Sequence, residues 1–319
     1  MARRLGSTPK ALGECFMTEL GAPVADIAND FLMRAGLPLQ AGRTRGPVQL
    51  RLPVRAPFDA EWVFGFLDKR ALPGLEAVVD GVYRRRLNER DWLSVRYADG
   101  QLVIDLPAMS RARQLECLGR IGVVFDVNAD SAAIDSVLKK ERWLRSQVTG
   151  GIRVPGAWDG FETAVRAILG QQVSVARARD LAIELMQRFG EGSFPQPAQL
   201  VTADVSAIGM PGKRGGAVRA LAAAVLDDQL ELTNVVPAVE QFAALCELPG
   251  IGPWTAGYIS MRIAGDANAF PRADWVILKQ LGMTAGAAER YSLAWQPFRA
   301  YALMYIWQAS TAAERVAKP

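Results

Sequence analysis

The sequence contains no histidine among its 319 residues, and it contains only three cysteines. Without histidine there is no imidazole general base, no Cys–His pair and no His-ligated metal centre. Cys15, Cys117 and Cys246 are far apart and odd in number, which argues against a disulfide framework and against a zinc or iron–sulfur cluster. Any catalysis must therefore use carboxylates, Lys, Tyr, Ser or backbone groups.

Long apolar runs and a strong charge bias are also missing. No stretch of the sequence is apolar enough for long enough to span a bilayer, and Arg3-Arg4 is not followed by the apolar core of a signal peptide. Lys and Arg outnumber Asp and Glu by 37 to 33, which gives a formal net charge of +4. This modest basic excess permits a polyanionic partner without requiring one.

The most informative stretch runs from residue 245 to residue 277. Its centre is the turn LPGIG at 248–252, with apolar residues at helical spacing on both sides. Pro253 suits the first turn of the second helix, and Gly250 and Gly252 allow positive φ and leave the turn amides uncovered. Bare amides at the start of a helix bind anions such as phosphate. The turn alone fits an ordinary corner between two helices equally well.

Six motifs together identify a resemblance. They are FDAEWVFGFL (58–67), AWDGFETAVRAILGQQVSVARA (157–178), IGMPGKR (208–214), LPGIGPWTAGYISMR (248–262), FPRADW (270–275) and WQPFRAYALMYIW (295–307). They resemble the helix-hairpin-helix superfamily of DNA base-excision glycosylases and, within it, the AlkA-type family of 3-methyladenine DNA glycosylases. The motifs run in family order from about residue 48 to the C terminus. The resemblance does not extend to residues 1–46, to which we assign no function.

The apolar patterns predict an α+β chain. Apolar and polar residues alternate over 48–52, strand-like runs follow at 77–87 and 92–97, and Asp99-Gly100 is typical of a hairpin turn. A helix is predicted over 111–118, and beyond about residue 130 helical spacing dominates.

The resemblance gives this pattern a domain plan. It implies an N-terminal antiparallel sheet domain with helices (TBP-like), followed by an all-α two-lobed helix-hairpin-helix core with the active-site cleft between the lobes. The predicted divisions are an extension of unknown role (1–46), the α+β domain (47–135) and the helical core (136–319), with a hairpin-bearing lobe (160–266) and a second lobe (136–159 plus 267–319).

Asp274 is the predicted catalytic residue. On its own sequence context it suits the N-cap of a helix, and an arbitrary Asp there would be expected to do no more. It matches the aspartate that follows the hairpin in the family, which implies catalysis. Breaking an N-glycosidic bond creates oxocarbenium character on the sugar, which a fixed anion stabilises, and a carboxylate can also position or deprotonate the attacking water.

The resemblance also implies a base pocket made of Phe66, Trp254, Tyr258 and Trp307. An alkylated purine such as 3-methyladenine carries a positive charge, so it leaves readily without a general acid. Aromatic faces attract such an electron-poor ring by stacking and cation–π interaction. Aromatic residues at helical spacing are also common in cores, and the sequence leaves that alternative open.

Two sets of residues are the predicted DNA contacts. Gln172 occupies the position from which the family inserts a side chain into the gap left by a flipped base; an amide can fill that gap, although it stacks less well than an apolar wedge. The predicted phosphate contacts are the backbone of Gly250, Ile251 and Gly252 and the side chains of Lys213 and Arg214. A solvated surface role for the two basic residues stays open.

The family implies no required cofactor. It places the backbone carbonyls of Cys246, Leu248 and Gly250 where a structural Na⁺ or K⁺ ion could bridge the hairpin to DNA. Strand-cutting members of the superfamily carry a lysine two residues after the second turn glycine, and here that position is Trp254. The nearest later lysine, Lys279, is expected to point away from Asp274.

These inferences predict a monofunctional DNA glycosylase of the DNA-3-methyladenine glycosylase II type. It would excise alkylated purines, of the 3-methyladenine and 7-methylguanine kind, from double-stranded DNA in base excision repair, by base flipping and Asp-assisted hydrolysis. We expect a monomer without membrane association, located in the bacterial cytosol or nucleoid. Two alternatives remain: a hairpin glycosylase for deaminated or oxidised bases, and a catalytically silent DNA-binding or damage-sensing module.

Overall fold

A computed structural model describes residues 46–316 of the chain, with side chains as far as residue 311. The predicted extension at 1–46 therefore lies outside the described residues, apart from Gly46. Within the described range, no helix is long and apolar enough to cross a membrane.

An antiparallel five-stranded sheet forms the N-terminal part, in the order β1-β5-β4-β3-β2. The strands are β1 (Val48–Pro53), β2 (Glu76–Val79), β3 (Val82–Arg86), β4 (Trp92–Ala98) and β5 (Gln101–Leu106). Leu50 pairs with Ile104 and Ile104 with Val95, and all three are buried on one face. The alternation in the sequence thus places every second side chain in the core.

The remaining chain is helical. Its helices are α1 (Ala60–Asp68), α2 (Arg111–Val124), α3 (Ser131–Leu138), α4 (Arg142–Arg145), α5 (Gly160–Leu169), α6 (Val175–Phe189), α7 (Pro197–Leu200), α8 (Gly212–Leu226), α9 (Ala238–Cys246), α10 (Pro253–Ile263), α11 (Trp275–Leu281), α12 (Ala285–Ser292) and α13 (Arg299–Val316). Short 3₁₀ turns occur at Val205–Ile208 and Leu293–Trp295. The predicted α+β class is therefore confirmed.

Two of the predicted elements differ from the structure. The run at 77–87 is not one strand, because Asp80 and Gly81 both have positive φ and fold it into β2, a turn and β3. The turn Asp99-Gly100 between β4 and β5 has the same backbone and was correctly predicted. Helix α2, predicted to end at Leu118, continues to Val124, since Ile121 and Val124 are buried against the sheet.

Three apolar cores lie behind these elements. One joins the sheet to α1 and α2, the second gathers α5, α6, α8 and the hairpin helices α9 and α10, and the third surrounds α13. Ile134 and Leu138, on α3, pack in the third core, so the boundary predicted at residue 135 would cut a helix that packs with α13. The rest of the predicted domain plan stays a prediction.

A buried ionic network fastens the sheet to the helical part. Arg85 of β3 pairs with Glu76 of β2 and with Glu162 of α5, and Arg166, one turn further along α5, pairs with both glutamates. The Tyr83 hydroxyl donates to Glu76 at 2.9 Å. Each carboxylate is therefore held by two guanidinium groups away from water.

Candidate active site and nucleic-acid interface

Asp274 lies at the N-cap of α11, directly after the loop that leaves the hairpin. Its Oδ1 accepts hydrogen bonds from the backbone amides of Val276 at 3.0 Å and Ile277 at 3.1 Å. These bonds satisfy the first amides of the helix and fix the carboxylate rigidly. The capping role considered for this residue is therefore real, and it determines where the carboxylate points.

Two indole groups complete the surroundings of this carboxylate. Nε1 of Trp254 donates to Oδ2 at 3.3 Å, and Nε1 of Trp307 donates to Oδ1 at 3.3 Å. Asp274 is 7% exposed, and within residues 46–316 it forms no ion pair. Burial raises the pKa of the Asp274 carboxyl, while the Ile277 and Val276 amides and the two indoles act in the opposite direction. The site thus holds a carboxylate in which Oδ2 accepts fewer of these hydrogen bonds than Oδ1.

Three of the four predicted pocket aromatics form one cluster, and two of them contact Asp274. Trp254 and Tyr258, one turn apart on α10, are parallel within 9° with ring centroids 5.8 Å apart. The ring of Trp307, from α13, lies 6.3 Å from Tyr258 and is tilted by 42°. All three side chains are partly exposed. The structure thus brings a partly accessible aromatic wall next to the carboxylate.

Phe66 lies deeper than the other three and is only 2% exposed. The guanidinium of Arg70 lies 3.7 Å from its ring centroid and that of Arg262 lies 4.9 Å away. Trp62 packs against the same ring at 5.8 Å. Phe66 is thus a buried platform for two arginines, and its predicted role in holding the base stays a prediction.

The same two arginines reach Tyr258. Nη1 of Arg262 donates to the Tyr258 hydroxyl at 2.8 Å, and its Nη2 donates to the Gly156 carbonyl at 3.0 Å. Burial would raise the pKa of the Tyr258 hydroxyl, but the charges of Arg262 and Arg70 outweigh burial and lower it. Fixed positive charge therefore lies next to the Tyr258 hydroxyl, at one edge of the aromatic wall.

The predicted hairpin is present, and its two glycines do different work. Gly250 has a φ of +84°, and a Cβ there would come within 2.8 Å of the Ala217 Cβ on α8, so both backbone and space require glycine. Gly252 could adopt positive φ but has a φ of −92°. A Cβ on Gly252 would meet nothing within 4 Å, so this position is open to whatever approaches the turn.

The turn amides are not equally available to a phosphate. The Ile251 amide donates to the Leu248 carbonyl at 3.1 Å, and the Ile251 side chain is 4% exposed. The Ile251 amide therefore holds the turn together, and the predicted contact of this residue with DNA stays a prediction. The amides of Gly250 and Gly252 donate to no backbone acceptor in the part of the chain that the structure describes. These two amides are the ones that could bind an anion.

Two further loops meet the hairpin turn. The start of α8 packs against it, with the Lys213 carbonyl 3.5 Å from the Cβ position of Gly250. Lys213 is exposed, and Arg214 reaches the Leu169 carbonyl at the end of α5 at 3.5 Å. Arg177, exposed at the start of α6, donates to the Gly209 carbonyl at 3.2 Å. Basic side chains from two segments, the starts of α6 and α8, therefore lie around the hairpin turn.

Gln172 lies in the loop between α5 and α6. It is exposed, and its φ of +56° is a conformation that non-glycine residues rarely adopt. Its neighbour Gln171 turns inward and donates from Nε2 to the Gly250 carbonyl at 3.0 Å and to the Thr255 hydroxyl at 2.9 Å. The loop presents one glutamine outward and anchors itself with the other.

The predicted cation site is partly occupied by hydrogen bonds. The Gly250 carbonyl accepts from Gln171 and the Leu248 carbonyl accepts from the Ile251 amide. No group of three or more Cys, Asp or Glu residues that could hold a metal ion occurs among residues 46–316. A monovalent cation on Cys246, Leu248 and Gly250 would have to share two of its three carbonyls, and it stays a prediction.

Lys279 contacts an indole other than the two that donate to Asp274. Its Nζ is 4.8 Å from the ring centroid of Trp275, which is 67% exposed. Asp274, by contrast, is turned toward Trp254 and Trp307. The lysine ammonium and the carboxylate thus have separate partners.

Comparisons with known proteins match this arrangement. A family model described as the AlkA N-terminal domain matches residues 49–159. The DNA-3-methyladenine glycosylase 2 of Escherichia coli is 35% identical over 268 residues, which are 79% of this chain and 94% of that protein. The chain belongs to the AlkA family of DNA-3-methyladenine glycosylases. The family predicted from the six motifs is therefore confirmed.

Two other relatives extend the comparison. A Mycobacterium tuberculosis protein named "Probable bifunctional transcriptional activator/DNA repair enzyme AlkA" is 36% identical over 295 residues, covering 84% of this chain and 58% of that protein. The structure of a 3-methyladenine DNA-glycosylase from Archaeoglobus fulgidus superimposes with a TM-score of 0.69 at 19% identity, over 80% of this chain and 96% of that one. At such low identity the superposition supports the AlkA fold alone.

Sequence reasoning missed several residues that complete the site. They are Arg70 and Arg262 behind the aromatic wall, Gln171 and Thr255 between the loop and the hairpin, and Arg177 at the start of α6. Arg177 is flagged by its basic charge at the start of a helix, and Arg70 and Arg262 each follow the aromatic residue that they contact by four residues. Gln171 and Thr255 carry no local signal, since they are 84 residues apart and Gln171 is 79 residues from Gly250.

Proposed function

We propose that this AlkA-family protein is a monofunctional DNA glycosylase that removes alkylated purines from double-stranded DNA and leaves an abasic site. The observation that carries the proposal is a rigid, buried carboxylate with neutral hydrogen-bond partners, set beside an aromatic wall. The E. coli relative is named for removing 3-methyladenine. We infer the same substrate class for this chain.

In the proposed reaction Asp274 acts on the sugar. As the bond between the anomeric carbon and the base nitrogen breaks, positive charge develops on the sugar ring. The Asp274 carboxylate stabilises that charge and orients a water, whose oxygen bonds to the anomeric carbon and whose proton passes to the carboxylate and then to solvent. The departing alkylated purine already carries a positive charge and accepts the bonding electron pair as a neutral base.

The hairpin turn, the start of α8 and the loop between α5 and α6 hold and open the DNA. The free amides of Gly250 and Gly252 bind a phosphate, with Lys213 and Arg177 nearby. Gln172 enters the space left by the extruded nucleotide, and its amide can hydrogen-bond the base left without a partner. The base rests on Trp254, Tyr258 and Trp307. Binding of one chain per lesion is expected, as is weakening by salt, because phosphate contacts release counterions.

Base release is the experiment that tests this proposal. Duplex DNA carrying 3-methyladenine or 7-methylguanine is incubated with the protein, and free base is separated and quantified. We expect release of the alkylated base, with strand breaks only after alkali or heat. A protein that binds such DNA and releases no base would be the silent DNA-binding module instead.

Borohydride trapping tests the monofunctional part separately. A strand-cutting glycosylase forms a Schiff base between an amine and the anomeric carbon, which borohydride reduces to a stable adduct. Trp254 occupies the position of the amine, and Lys279 lies over Trp275. We therefore expect no adduct. An adduct in the wild type that disappears in Lys279→Ala would make the enzyme bifunctional.

A second candidate substrate class is favoured by one observation. Arg70 and Arg262 place fixed positive charge behind Tyr258 and Phe66, which disfavours a cationic ring and suits a neutral base with acceptor atoms on its edge. Deaminated purines have this character. Parallel release assays on a deaminated and an alkylated purine, in the same sequence context, rank the two classes directly.

A further inference from the structure

We propose that Gln171 is a positioning residue that couples the base-opening loop to the hairpin. The inference rests on the proposed function, since it concerns how DNA is gripped and opened. The base-opening loop is the segment 170–174, which carries Gln172 and joins α5 to α6. Gln171 joins this loop to two other elements through a single side-chain amide.

The two bonds of this amide reach functionally different places. The Gly250 carbonyl, 3.0 Å from Nε2, belongs to the turn whose free amides face the proposed phosphate. The Thr255 hydroxyl, 2.9 Å from Nε2, lies in the first turn of α10 next to Trp254, and Thr255 is 3% exposed. One residue of the loop thus touches both the DNA-gripping turn and the helix that carries the aromatic wall.

The loop needs such an anchor because Gln172 is both exposed and in an uncommon backbone conformation. To open a base pair, the Gln172 side chain must enter the DNA duplex while the hairpin binds the DNA phosphate backbone. The base-opening loop and the hairpin must therefore keep a fixed distance from each other. The hydrogen bonds from Gln171 to the hairpin fix that distance, whereas a loop held only by its own backbone could shift when Gln172 meets the duplex. Gln171 therefore acts through Gln172 and the hairpin, and it touches neither base nor sugar.

The experiment compares the same alkylated purine in two duplexes. In one the lesion faces its normal pyrimidine; in the other it faces an abasic analogue, so that no base pair has to be opened. Gln171→Leu removes both donors at similar volume, and Thr255→Val removes one acceptor with an isosteric side chain. Gln187→Leu, at an exposed glutamine on the outer surface of α6, is the matched control.

For Gln171→Leu we expect single-turnover base release from the paired duplex to fall about tenfold to thirtyfold, the scale of two lost hydrogen bonds. Release from the unpaired lesion should stay within about threefold of wild type, because the opening step is bypassed. Thr255→Val should show a smaller loss of the same kind, Thr255→Ser should restore it, and the losses of Gln171→Leu and Thr255→Val should not add.

Three results would overturn the inference. Gln171→Leu could release base from the paired duplex at the wild-type rate, or it could lose the same factor on both duplexes, which is the signature of general damage to the site. Thr255→Val could also match wild type on both duplexes, and this variant decides the matter if Gln171→Leu does not fold. A wild type that releases no base from either duplex would instead contradict the proposed function.

Discussion

Two buried groups of charge in this protein are built in opposite ways. In the network between the sheet and α5, Glu76 and Glu162 are each held by Arg85 and Arg166, so two negative charges meet two positive ones. Asp274 is almost as buried, yet its partners in the described residues are backbone amides and indole N–H groups, all of them neutral.

The difference appears in the pKa values. Burial alone would raise the pKa of Glu76, but Arg166 and Arg85 outweigh burial and lower it. Burial raises the pKa of Asp274, and its neutral donors do not reverse the shift. The negative charge of a carboxylate paired with arginine is already compensated. The negative charge of Asp274 is not, so it can stabilise positive charge on a bound sugar. We infer that the network serves the fold and that Asp274 serves the reaction.

Breaking the compensated group should produce the largest effect. Glu162→Gln leaves Arg85 with one carboxylate fewer at a buried position, so we expect a loss of about 3 to 5 kcal/mol in the free energy of unfolding. Denaturant titration measures it, with Glu184→Gln as the control, since the Glu184–Arg188 pair is exposed and worth less than about 1 kcal/mol. An equal, small loss in both variants would contradict a structural role for the network.

Removing one of the neutral hydrogen-bond donors of Asp274 should reduce base release. Trp307→Phe keeps an aromatic ring near Tyr258 but removes the hydrogen bond to Oδ1 of Asp274. The pKa of Asp274 should rise further, and base release at neutral pH should fall about fivefold, the scale of one hydrogen bond. Single-turnover rates across pH measure both effects, with Trp92→Phe on the sheet as control. An unchanged rate and pH profile would show that the indole does not support the carboxylate.

Lowering the pH of the wild-type protein should abolish base release before it unfolds the protein. Because the pKa of Asp274 is raised, its ionised form and base release are lost at a higher pH than for an ordinary aspartate. The pKa of Glu76 is lowered, so its stabilisation is present above its unfolded value, about 4.3, and is lost only as pH falls through the lower folded value. Release of a permanently cationic base should therefore decline before near-UV circular dichroism does. Coincident losses would contradict this order.

Much of the fold can be predicted from local sequence signals. Asp99-Gly100 predicted its hairpin, and Pro253 and the LPGIG turn predicted the start of α10. Asp80-Gly81 carries the same turn signal inside the run at 77–87, although the apolar pattern hid it. Helix α2 is longer than predicted because Ile121 and Val124 are buried against the sheet. The local sequence, which contains glycine, does not reveal this burial.

The site divides in the same way. Asp274, Trp254, Tyr258 and Trp307 were predicted from motifs and meet in space. The arginines behind the wall were not, because the contacts of Arg70 with Tyr258 and of Arg262 with Phe66 join α10 to the segment around α1. The sequence showed that both hairpin glycines allow positive φ but not that Gly250 alone uses it, where it packs against α8. Contacts between distant segments are what a single sequence does not display.

The central claim is that the uncompensated charge of Asp274 drives bond breaking, and Asp274→Asn tests it most directly. Asparagine retains an oxygen that can cap α11, so the variant should fold and bind duplex DNA containing an abasic analogue within about threefold of wild type. Its single-turnover base release should fall on the order of a hundredfold or more, the scale for losing a preorganised electrostatic stabiliser. If the variant releases base within a few fold of the wild-type rate, Asp274 is a helix cap and the claim is wrong.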